Sequence, residues 1–108
     1  MNGVHLRIYT YENRRHAGLP MYEWLLREAK ALGIHGGSAF RALAGFGRHG
    51  TLHEEHFFEL AGTEPVLVEF IAQREQVDAL IGKLRADRVE VFYAELDTRF
   101  GTTGSVSA

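Results

Sequence analysis

The chain has 108 residues, of which 45% are hydrophobic and 24% charged, with a formal net charge of −2. This length makes one domain with no room for a second core, and the charge balance excludes a wholesale nucleic-acid binder, which needs a basic face. The absence of cysteine removes disulfides, thiol catalysis and thiolate metal ligands together.

The opening, MNGVHLRIYTYENRR, lacks the apolar centre of a signal peptide, and no apolar run reaches bilayer length. A cytoplasmic location is the expectation. In VHLRIYTY, Val4, Leu6 and Ile8 alternate with His5, Arg7, Tyr9 and Tyr11, the period of a strand with one face on a core. ENRRHAG reads as a loop. Pro20 suits the first turn of a helix over Met21–Leu32. There Met21, Leu25, Ala29 and Leu32 form the apolar stripe, Glu23 and Arg27 are spaced to pair, and Gly33 caps the end.

SAFRALAGF (Ser38–Phe46) is the second expected strand. PVLVEFIA (Pro65–Ala72) is the third, with HFFEL as a candidate first half. REQVDALIGKL then sets Val77, Leu80, Ile81 and Leu84 at i, i+3, i+4, i+7, an amphipathic helix. RVEVFYAEL (Arg88–Leu96) is the fourth strand, closing a single domain over residues 1–96. DTRFGTTGSVSA (97–108) is small and polar, and is expected to be a flexible tail.

The order β-α-β-β-α-β is that of the ferredoxin-like α+β sandwich, with both helices on one face of an antiparallel sheet. The other face then carries His5, Arg7, Tyr9 and Tyr11. A face with this many rings is more often covered by another subunit than left in water, so a homo-oligomer packing sheet on sheet is expected.

The segment GFGRHGTLHEEHFFEL (Gly45–Leu60) concentrates chemistry, and its residues allow three readings. Gly45-Phe-Gly-Arg-His-Gly50 matches G-x-G-x-x-G, whose glycines let backbone amides approach a phosphate. A dinucleotide domain is excluded, because the chain is too short and the motif does not follow the first strand. Anion binding by these amides stays open, as does a β-bulge at Gly45 and Gly47 with no ligand. Secondly, His49, His53 and His56 are candidate metal ligands, one from each of three chains around an axis, although HEEH is not the zincin H-E-x-x-H. Solvated loop histidines are the alternative. Thirdly, a histidine with Glu54 or Glu55 is a candidate acid–base pair. It would need a pocket that excludes water, and no enzyme is expected.

LRIYTYE (Leu6–Glu12), GLPMYEWLLREAKALGIHGGSAFRALAGFGRHGTLH (Gly18–His53) and ELAGTEPVLVEFIA (Glu59–Ala72) resemble the PII-like family catalogued as domain of unknown function 190, DUF190. The most specific parts are Leu19-Pro20-Met21-Tyr22, the Gly33…Gly36-Gly37 turn, and Arg41-x3-Gly45-Phe46-Gly47 with His53 behind it. The resemblance implies a homotrimer that regulates rather than catalyses. A small effector, typically an adenine nucleotide, binds in clefts between subunits and changes the shape of the T-loop between the second and third strands. That loop then engages or releases a target such as a membrane transporter or channel.

In this chain the equivalent loop is Gly47–Glu55. It is shorter than in true PII proteins and lacks their nucleotide-binding and modification motifs. On this reading the ligand-binding candidates are Arg41, Gly45, Gly47, Arg48, His49 and Arg88. Arg41 and Arg88 have solvated or ion-paired charges as their alternative. A second reading is a divalent-metal-binding trimer similar in fold to the CutA divalent-cation tolerance proteins, with His49, His53 and His56 as ligands.

Overall fold

A computed structural model of the chain describes residues 1–45 and 64–104. Among the described residues eight elements follow in order: β1 (Asn2–Tyr11), β2 (Arg15–His16), β3 (Leu19–Pro20), α1 (Met21–Ala31), β4 (Gly37–Arg41), β5 (Pro65–Ala72), α2 (Arg74–Ala86) and β6 (Phe92–Arg99). β4, β5, β1 and β6 form one antiparallel sheet in that order, the ferredoxin-like arrangement expected from the sequence.

Alternation along the strands decides what each sheet face meets. Val4, Leu6 and Ile8 of β1 and Val66, Val68, Phe70 and Ala72 of β5 are buried under the helices. α1 adds Met21, Trp24, Leu25 and Ala29 to this core, and α2 adds Val77, Leu80, Ile81 and Leu84. The α2 stripe is therefore the predicted one. On α1 the spacing predicts Leu32, which is exposed, and misses Trp24, which is buried. Trp24 is covered by His16, whose ring meets the indole edge-on at 4.3 Å.

His16 belongs to a small hairpin where a loop is expected. β2 and β3 pair Arg15 with Pro20 and His16 with Leu19 across Ala17 and Gly18, both with positive φ. Two left-handed residues match the twist of a tight hairpin, but alanine is a poor occupant of that region. Ala17→Asn is expected to stabilise the protein by about 0.5–1 kcal/mol, read as a raised thermal midpoint at fixed protein concentration.

The helix ends are tied by specific atoms. Pro20 stands at the N-cap of α1, one place ahead of the first turn, and the Met21 amide donates to Arg14 O at 2.7 Å. Gly33, at φ 85°, ends the helix in the left-handed conformation expected of it. Glu23 and Arg27 pair at 2.8 Å as their spacing predicts. At the start of α2, Gln76 accepts from the Gln73 amide at 3.0 Å and donates to Gly33 O at 2.9 Å, joining the two helices.

The predicted second and fourth strands need correction. β4 ends at Arg41, five residues short of Phe46, and Phe46 itself lies outside the described residues. β6 starts at Phe92 rather than Arg88, because Arg88 sits at φ 58° and turns the chain before the sheet begins. β6 also takes in Asp97, Thr98 and Arg99, assigned to the tail by composition. Beyond them Phe100 is held by Met1: the Phe100 amide donates to Met1 O at 2.9 Å, and the terminal ammonium donates to Phe100 O at 2.8 Å. Among the described residues, no helix is long and apolar enough to cross a membrane.

Candidate functional site

Register places several chain reversals at one end of the sheet. β1 ends opposite the start of β5 (Tyr11↔Pro65), β4 ends beside it (Arg41↔Val66), and β6 begins beside Tyr9 (Tyr9↔Phe92). α2 also finishes here, since it runs back along the sheet from the far end of β5. Arg41, Gly45 and Arg88 therefore share an end of the molecule.

They do not share an edge. Arg41 is on β4 and Arg88 leads into β6, and β5 and β1 lie between those strands. Arg41 is bound to the Glu12 carboxylate by its Nε and a terminal nitrogen. That hydrogen bond, with the charge of Glu12 behind it, raises the guanidinium pKa from its ordinary value. Beside the pair is a concavity of about 220 Å³ lined by Glu12, Tyr22, Ala39, Phe40, Arg41 and Val66. Gly45 is exposed and is the last described residue before position 64.

Arg88 lines a larger cavity of about 310 Å³ at the other edge. Its floor is Ile81, Leu84, Val89 and Val91, and its rim is Arg85, Arg88, Glu90 and Tyr93. Arg85 points a terminal nitrogen at the Tyr93 hydroxyl, 3.5 Å away. Among the described residues neither Arg85 nor Arg88 pairs with a carboxylate. An apolar floor with two guanidinium groups at the rim suits a flat organic anion, because guanidinium forms forked hydrogen bonds to phosphate or carboxylate. Arg85 and Tyr93 are absent from the sequence-based set. The spacing Arg85-x2-Arg88 was visible, but only the turn at Arg88 folds both onto one opening.

The turn is anchored from outside. Asp87, at the C-cap of α2, forms an ion pair with Lys83 at 3.3 Å, and its carboxylate lies 3.7 Å from His16 Nε2 of the hairpin. The hairpin thus braces the Arg88 connection against α1.

Gly47, Arg48, His49, His53 and His56 lie outside the described residues, as does the whole Gly47–Glu55 loop. Among the described residues no group of three or more histidine and carboxylate side chains could hold a metal.

The open sheet face has the composition expected of it. Across the four strands, Phe40, Leu67, Tyr9 and Phe92 form one continuous row, since each is opposite the next in register. Tyr9 and Phe92 touch with ring centroids 5.6 Å apart. A second row holds Ser38, Glu69, Arg7 and Ala94, and a third holds Ile71, His5 and Leu96. Phe40, Phe92, Ile71 and Leu96 are each about half exposed, at 50%, 48%, 47% and 47%. Exposed apolar side chains grouped on one face in this way are the kind of surface that another molecule covers.

Comparison with known proteins agrees with this architecture. The chain is 34% identical over 96 residues to a UPF0166 protein of Aquifex aeolicus, covering 82% of this chain and 91% of that one. It is 29% identical over 79 residues to a UPF0166 protein of Methanocaldococcus jannaschii, covering 73% and 72%. Among solved structures, it resembles a PII-like signaling protein from Thermus thermophilus with a TM-score of 0.60 at 17% identity, over 90% of this chain and 87% of that one. It also resembles CPII, a nitrogen regulatory PII-like protein from Thiomonas intermedia bound to ADP, AMP and bicarbonate. There the TM-score is 0.54 at 17% identity, over 91% and 89% of the two chains. The family model of DUF190, described as uncharacterized ACR, matches residues 3–97, and the chain belongs to that family, with a PII-like fold.

Proposed function

We propose that this protein is a regulatory subunit that binds a small anionic effector, an adenine nucleotide being the leading class, in clefts between copies of a homotrimer. The observation that carries the reading is the apolar cavity rimmed by Arg85 and Arg88, at the same sheet end as Arg41 but on the opposite edge. A ring of copies brings the β4 edge of one against the β6 edge of the next. Each cleft then has the Arg41 concavity on one wall and the Arg88 cavity on the other. The kinship with CPII, bound in its structure to ADP, AMP and bicarbonate, supports the ligand class.

β4 ends and β5 begins at that same end, and the segment that joins them includes Gly47–Glu55; an effector in the cleft would favour one state of that segment over another and shift its population. The loop is the proposed contact with a target, a membrane transporter or channel being one such target in a cytoplasmic setting. The likeness to PII-like signalling proteins supports the role of a regulator rather than a catalyst.

The test is calorimetric titration with ATP, ADP, AMP, cyclic AMP and bicarbonate, with the mass measured by light scattering. A trimeric mass and saturable binding of at least one nucleotide are expected. A trimer that ignores every nucleotide at millimolar concentration would remove the effector class and leave only the assembly.

A further inference from the structure

The middle row of the open face holds two charges, and among the described residues one of them, Arg7, has no carboxylate partner. Arg7 and Glu69 are directly opposite in register, yet they do not pair. Glu69 instead takes His5 Nε2 at 2.9 Å, and the Arg7 guanidinium leans over the Tyr9 ring, 5.9 Å from its centroid. The Arg7 Nε is buried with no hydrogen-bond partner. That atom is already closed off inside the protomer, so an acceptor on another molecule could reach only the terminal nitrogens, for which no acceptor stands among the described residues; once water is stripped from them, leaving them unpaired is costly. The rows on either side are mostly apolar, with His5 the exception, and whatever covers them will strip water from the middle row as well.

We propose that Arg7 of one protomer pairs with Glu69 of a neighbouring copy, and that this contact sets the register in which the open faces pack. This rests on the assembly put forward above. The occupant is a second copy because the same face offers both an unfilled cation and a carboxylate. A carboxylate accepts several hydrogen bonds at once, so Glu69 can keep His5 and still receive Arg7. Covering the flanking rows dries the contact, which strengthens an ion pair that forms and penalises a register in which it does not. An apolar face alone would slide. A charge that must find its opposite does not.

Because the contact runs between copies, it can be complemented by mixing. Arg7→Glu and Glu69→Arg are each expected to weaken self-association at least tenfold, with light scattering reporting a fall toward the protomer mass. An equimolar mixture of the two is expected to regain part of the association, since two of the three contacts in a mixed trimer join unlike chains and the third joins like ones. Native mass spectrometry would show assemblies containing both chains, because unlike chains present opposite charges at the contact. Circular dichroism checks that each variant folds, and Arg7→Gln with Glu69→Gln serves where a reversal does not.

Full assembly of either reversed variant alone overturns the contact. So does recovery in an Arg7→Glu/Glu69→Arg chain with no gain at all in the mixture over either variant alone, since the pair would then act inside one protomer. A lone protomer of the unsubstituted protein would overturn the assembly itself, which is a separate result.

Discussion

Phe70→Ala is expected to destabilise the protein by about 3–5 kcal/mol, the range for emptying a buried aromatic site. Phe70 is on the central strand β5, 2% exposed, and its ring fills the space between the sheet and α1. The outer strand leaves that ring no slack. A Cβ added at Gly37, its register partner on β4, would stand 2.5 Å from Phe70 Cδ1 and 3.2 Å from a Leu26 methyl. Gly37→Ala should therefore cost about 1–3 kcal/mol by overpacking.

The two sites should also couple. In Gly37→Ala/Phe70→Leu the smaller side chain makes room for the new methyl, so the double variant should lose less than the two single losses added together. Urea unfolding at one protomer concentration measures all of these, since assembly makes apparent stability depend on concentration. Strict additivity would show that glycine is at position 37 for some reason other than the ring.

Arg85→Ala/Arg88→Ala is expected to weaken nucleotide binding by about 100-fold or more, since hydrogen bonds to charged groups contribute about 1.5–3 kcal/mol each. Both side chains are exposed, so the melting temperature should barely move. Alanine is preferable to glycine at Arg88, because it leaves the backbone constraint at φ 58° as it was. The affinity of the unsubstituted protein should also fall with added salt, as it does for exposed charge contacts. Unchanged affinity in the double variant, measured by the same calorimetry, would move the ligand away from this cavity.

Arg74 offers a contrast within the same strand and helix. It bridges Asp78 at 2.9 Å and Glu95 at 2.8 Å, and the Glu95 hydrogen bond, ahead of that to Asp78, raises its pKa. That arginine is occupied in holding α2 to β6. Arg85 and Arg88, further along, have no carboxylate of their own among the described residues. Composition counts these arginines alike, and only their neighbours separate them.

What could be read from the sequence was whatever depends on short-range period. The bounds of β5, the two faces of β1 and the four core positions of α2 follow from side chains alternating every two residues or recurring every three to four. The element order and the resemblance to DUF190 agree on the fold, and the resemblance named Arg41, Gly45 and Arg88 as candidates, which lie at one end of the sheet on different edges.

Other features depend on contacts between residues far apart in the chain, for which local period has no signal. Trp24 is buried because a hairpin eight residues earlier folds its His16 onto the indole. β6 begins four residues after Arg88 because that residue turns the backbone. Arg85 and Tyr93 face one cavity because a helix end and a strand start are packed side by side. The sequence alone determined the order of the four long strands and two helices and the apolar faces of β1, β5 and α2, because those properties are written in neighbouring side chains. Tertiary structure alone decided which charges were neutralised and which stood unpaired at an opening, because that is settled by distances between segments.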